Sequence, residues 1–105
     1  MISIGIYDEH KLALEGANQL FKTVSEINVI LMCVDKSLLK TSMKSTPIHV
    51  LLLTMHDISI STINLIVQLN IQYPKTKILI ISTIQSEEII LKNIKAAAKG
   101  FLGKD

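Results

Sequence analysis

Short, nearly continuous apolar runs alternate along this chain with stretches in which apolar residues recur every three or four positions. Residues 2–7, 27–34, 48–53 and 77–82 read as strands. Leu12, Gly16, Leu20 and Phe21, with Val24 beyond, recur at helical spacing between the first two. A weaker helical segment near residues 37–44 follows, its β-branched and Ser residues lowering its propensity. In a third helix, Ile63, Ile66, Val67, Asn70 and Ile71 mark the expected inward face, Ser59 or Ser61 the cap, and Pro74 the stop. Ser86 precedes Glu87 and Glu88, negative side chains suited to a helix N-terminus. Ile89, Ile90, Ile94 and Ala97 carry that fourth helix inward, and Gly100 releases the chain into a fifth strand at Phe101-Leu102.

The order β-α-β-α-β-α-β-α-β predicts right-handed crossovers and parallel strands, an open α/β sandwich. The unbroken apolar content of residues 48–53 predicts a strand buried on both faces. Sheets of this kind hold their ligand crevice beyond the carboxyl ends of the strands. Those ends deliver Asp8 and Glu9, then Leu53 and Thr54, then Ser82 and Thr83, and finally Lys104. Lys104-Asp105 follows the fifth strand directly, with no helix to cover the sheet face beside the first helix. The expectation is that this last helix was truncated from a longer protein, or never existed, and that the bare apolar surface finds cover through a partner subunit or rearrangement.

Composition narrows the function classes. The 105 residues suit one domain, and a 49% hydrophobic content argues against disorder. With a net charge of +2 the chain carries no strong nucleic-acid footprint. Lys92, Lys95 and Lys99 share one helical face, read first as a solvated face and second as a partner or phosphate contact. Cys33, flanked by Met32 and Val34, reads as a buried thiol in a reducing compartment. His10, His49 and His56 lack metal-ligand spacing, and His49 is expected to be structural. The apolar opening is cut short by Asp8, Glu9, His10 and Lys11, and the runs at 65–69 and 78–81 are too short for a membrane span. A cytoplasmic protein without membrane contact is expected.

The stretches ISIGIYDEHKLALEG, PIHVLLLTMHD, YPKTKILIISTIQSEE and AAAKGFLGKD, in this order, resemble the receiver domain of bacterial response regulators, especially those joined to a helix-turn-helix DNA-binding domain. The resemblance spans essentially the whole chain. It implies a flavodoxin-like five-stranded sheet of order 2-1-3-4-5, here without its final helix. In that family an acidic pair binds magnesium, a middle-strand aspartate accepts phosphate, and a Ser/Thr and a Lys bind the phosphoryl oxygens. Asp8 and Glu9 match the pair, Glu9 being a longer carboxylate than the usual Asp; Ser82 matches the hydroxyl, Lys104 the lysine, and Phe101 the aromatic that changes rotamer on activation. Six residues on from Pro47, the acceptor position falls on Leu53.

That departure governs the expected chemistry. Phosphoryl transfer here needs a carboxylate nucleophile whose oxygen also helps hold the metal, and Leu53 supplies neither. Magnesium affinity is expected to fall, no cofactor is expected, and Asp57 stands four positions away. Two readings stay open for Asp8 and Glu9: a residual cation site, or a polar pair bonded to Lys104 or loop amides. Ser82 satisfies nearby backbone or switches; Phe101 packs or switches. Where the family often has Met-Pro-Gly, this chain has His56-Asp57-Ile58, with Asp57 suited to capping or an Asx turn.

The expected function is therefore a phosphorylation-independent, receiver-like regulatory module, the N-terminal part of a transcription regulator and not an enzyme. It would act as a homodimer or through a regulatory protein partner, at a surface around the fourth helix, fifth strand and absent helix. DNA contact is expected only through a domain absent from this chain. The competing classes are an atypical magnesium-dependent phosphoacceptor using Asp57, Ser82 or Thr54, and a small-ligand pocket on the same rim, which no glycine-rich phosphate loop supports.

Overall fold

A computed structural model of the chain describes residues 1–54, 60–81 and 92. Within them the order is β1 (Ile2–Tyr7), α1 (Lys11–Phe21), β2 (Ile27–Cys33), α2 (Lys36–Ser45), β3 (Val50–Thr54), α3 (Ile60–Gln72) and β4 (Lys77–Ile81). The strands form one parallel sheet of order β2-β1-β3-β4. This is the expected α/β sandwich over the described residues. The fifth strand and fourth helix lie outside them, and Lys92 is helical and exposed.

Two apolar layers sandwich the sheet. On one face, Leu14 and Phe21 of α1 pack over Ile2, Ile4, Ile6, Val50 and Leu52. On the other, Leu39 and Met43 of α2 and Leu65 and Leu69 of α3 cover Tyr7, Leu51 and Leu53. All four residues from Val50 to Leu53 are buried, as an apolar strand covered on both faces must be. On the α1 side, Val50 and Leu52 of β3 are buried, and Leu79 and Ile81 of β4 are half-buried.

A register shift between Ile4 and Gly5 exchanges the faces of the edge strand β2. Val29 lies with the α1-side layer, whereas Leu31 and Cys33 lie with the opposite one. At the amino edge of the sheet His49 ties three strands together. Its Nδ1 accepts the Ser3 N–H at 3.0 Å, its N–H donates to the Ser3 carbonyl at 2.8 Å, and its carbonyl accepts the Lys77 N–H at 2.9 Å. The structural role expected of His49 is met.

Several local expectations shift. Leu12 is 85% exposed, and Leu14, on the opposite side of the helix, is buried in its place. Strand β3 begins at Val50, two residues later than expected; His49 bonds Ser3 and Lys77, and the Ile48 carbonyl accepts the Thr76 hydroxyl at 3.0 Å. Val34 falls beyond β2, and α2 is longer than expected by one residue at each end. Asp35 caps α2, its Oδ1 accepting the Ser37 N–H at 2.9 Å and the Ser37 hydroxyl at 2.8 Å. Those bonds hold its carboxyl below the usual carboxylate range. Ser61 lies inside α3 and is not its cap; Ser59 lies outside the described residues.

Candidate functional site at the carboxyl edge of the sheet

Parallel strands end on the same side, so β1, β2 and β3 bring Tyr7, Asp8, Glu9, Asp35, Leu53 and Thr54 to one rim. Asp8 is 3% exposed. Its N–H donates to the Cys33 carbonyl at 3.1 Å, and its Oδ1 accepts the His10 N–H at 2.9 Å, bending the chain into α1. His10 Nδ1 lies 3.6 Å from the same oxygen. Cys33, buried as expected, points its thiol at the Asp35 carbonyl, 3.0 Å away.

Glu9 is held differently. The Tyr7 hydroxyl donates to its Oε1 at 3.3 Å, and Lys36 Nζ lies 3.6 Å from that oxygen. Burial first, and the Glu9 carboxylate second, push the Tyr7 hydroxyl far above the usual tyrosine range. Lys36 also donates to Ser61 Oγ and Thr62 Oγ1, both at 3.0 Å. One ammonium therefore joins the end of β1, the start of α2 and the start of α3. Farther along the same two helices, Lys40 bonds Gln68.

Leu53 lies beside Tyr7 across the β1–β3 ladder and is fully buried, packed in the layer of Tyr7, Leu51 and Leu65. It offers this rim a branched hydrocarbon and no oxygen. Thr54, one residue on, is half-buried. Of the residues expected to complete the site, Ser82, Phe101, Lys104 and Asp57 lie outside the described residues.

Magnesium wants a near-octahedral set of oxygens. Among the described residues no group of three or more His, Cys, Asp or Glu side chains converges on a metal position. The described donors do not fit that ion: Glu9 already faces an ammonium, and the middle strand adds no carboxylate.

Lys36 is the residue that sequence reasoning missed. A cation in the first helical turn opposes the helix macrodipole, and that misfit was the available signal. The small-ligand reading placed its pocket on this same rim. Among the described residues, one recess of about 500 Å³ lies between α2 and α3, lined by Lys36, Lys40, Ser61 and Gln68 among others, and an apolar one of about 510 Å³, lined by Met43, Ile48, Tyr73 and Pro74 among others, lies at the opposite, amino edge of β3 and β4.

No protein-family model matches the sequence, and neither does any curated protein. Solved structures do match in shape. RcsB from Salmonella enterica serovar Typhimurium, bound to promoter rprA with the phosphomimetic BeF3−, superposes with a TM-score of 0.81 at 18% identity over 95% of this chain. The isolated receiver domain of that protein matches with a TM-score of 0.69 both with BeF3− (18% identity, 90% of this chain, 72% of that one) and in the apo form (21%, 92% and 71%). The fold is that of a receiver domain. The chain spans 63% of the promoter-bound RcsB chain. Among the described residues no helix is long and apolar enough to cross a membrane.

Proposed function

We propose that this chain is a phosphorylation-independent, receiver-like regulatory module that acts through dimerisation or protein contact, as the N-terminal part of a transcription regulator. Leu53 carries the proposal: the residue that counting from Pro47 assigns to the acceptor position is a buried aliphatic group, where phosphoryl transfer needs a nucleophilic carboxylate. The Lys36 ammonium 3.6 Å from Glu9 supports it, since it sets a cation of the protein's own beside the acidic pair. With no oxygen on the Leu53 side chain to attack phosphorus, the module relays information by changing its partner and not by carrying a phosphoryl group at that position. The RcsB structures with DNA favour a role in transcription, DNA contact belonging to a separate domain.

Intact-mass measurement after treatment with a small phosphodonor and Mg²⁺ tests this. The expected result is an unchanged mass. A stoichiometric acid-labile adduct, lost in Asp57→Asn, would establish the phosphoacceptor alternative and end this reading.

A further inference from the structure

Helix α3 is apolar on two opposite sides. Thr62, Leu65 and Leu69 are buried against the sheet layer. At 3.6 residues per turn, Ile60, Ile63, Val67 and Ile71 fall on the far side, about 16 Å of aliphatic stripe. They are 78%, 47%, 50% and 76% exposed. An exposed aliphatic stripe opposite the buried face marks a candidate contact surface.

We propose that this stripe is a homodimer surface on which two copies of α3 pack antiparallel about a two-fold axis. Three observations select a second copy. The stripe is close to palindromic: reversing the helix about the midpoint of residues 65 and 66 sets Ile60 against the partner's Ile71 and brings Ile63 within one residue of the partner's Val67, near the self-complementarity that a two-fold interface requires. The thirteen residues of α3, ISTINLIVQLNIQ, contain no charged side chain, so two copies approach without like-charge repulsion, and antiparallel packing opposes their macrodipoles favourably. A lipid surface is the poorer occupant, because a helix lying in a membrane interface carries a strongly basic polar face and α3 has no basic residue.

Four side chains supply less than the roughly 800 Å² per partner of a standard interface, so the dimer is weak and concentration-dependent. This surface is distinct from the fourth-helix and fifth-strand region expected from the sequence. The inference rests on the assembly half of the proposed function and names its contact.

Sedimentation velocity from about 10 μM to 1 mM reads the assembly, a range suited to an interface of this size. The wild-type weight-average mass is expected to rise from one chain toward two, and Ile63→Glu/Val67→Glu to remain monomeric with an unchanged circular dichroism spectrum. Oxidation of Ile60→Cys mixed with Ile71→Cys is expected to give a disulfide-linked pair at least tenfold faster than Ile60→Cys alone; native Cys33 is buried and stays out of the reaction. Equal cross-linking of Ile60→Cys with itself overturns the antiparallel arrangement. A dimer retained by the double Glu variant overturns the α3 contact while leaving assembly through another surface intact, and a wild-type monomer throughout the range overturns both. The phosphodonor experiment judges the acceptor-free site independently of all of these.

Discussion

Tyr7 and Leu53 lie side by side across the β1–β3 ladder, both buried, with the Tyr7 hydroxyl directed to Glu9 at the rim. An aliphatic side chain beside an aromatic one makes this edge of the sheet a continuation of the core. Leu53→Ala should therefore cost about 2–5 kcal/mol, the range for emptying a well-packed leucine site. Chemical denaturation checks this, and a loss under 1 kcal/mol would mean that Leu53 is not a core residue.

The Lys36–Glu9 pair is partly open to solvent, with side-chain exposures of 29% and 57%. Its net contribution should lie at about 0–1 kcal/mol. A double-mutant cycle with Lys36→Met and Glu9→Gln should return a coupling in that range that shrinks in high salt. Lys36→Met alone should cost more than the coupling, because it also strips the donor from Ser61 and Thr62.

Tyr7 links the rim to pH. Its folded-state ionisation is raised above the ordinary value of 10.0. The unfolded chain then loses the phenolic proton first, so the stabilisation is complete below that value and declines as the pH rises above it. Tyr7→Phe should lose about 1 kcal/mol at neutral pH with the Glu9 hydrogen bond. The deficit should close, and then reverse, in alkaline melts. A deficit constant from neutral to alkaline pH would contradict the raised ionisation.

The alternation of elements was legible because the period of the apolar residues changes wherever the chain leaves a strand: Ile2–Tyr7 begins and ends where its pattern says. Helix faces were harder to read. In α3 the Ile and Val residues that appear to mark the inward side point outward at Ile63, Val67 and Ile71, while Leu65 and Leu69 do the packing. A helix with two apolar stripes gives periodicity no means of choosing between them. That Asp8, Glu9 and Leu53 come from strand ends on one side of the sheet was legible, since parallel strands end together. Lys36 escaped notice because its partners, Glu9, Ser61 and Thr62, come from elements far apart in sequence.

Two glycines make opposite predictions. A Cβ on Gly16, in the interior of α1, meets nothing within 4 Å, so Gly16→Ala should stabilise by about 0.5–1 kcal/mol. A Cβ on Gly5 comes within 2.8 Å of Ile48 Cδ1 and 3.4 Å of Leu31, beside the register shift, and Ile48 is itself buried. Gly5→Ala should therefore destabilise, by about 1–3 kcal/mol if repacking is incomplete. Paired thermal melts should move in opposite directions, and a shared direction would contradict the packing described around β1.

The most direct test of an acceptor-free receiver fold is an NMR titration of the wild-type chain with Mg²⁺ and BeF3−, following the amides of Asp8, Glu9, Leu53 and Thr54, with Leu53→Asp in parallel. The wild-type amides should stay in place at millimolar ligand, whereas Leu53→Asp, if folded, should regain a saturable response. Saturable shifts in the wild type, centred on Asp8 and Leu53, would contradict the account.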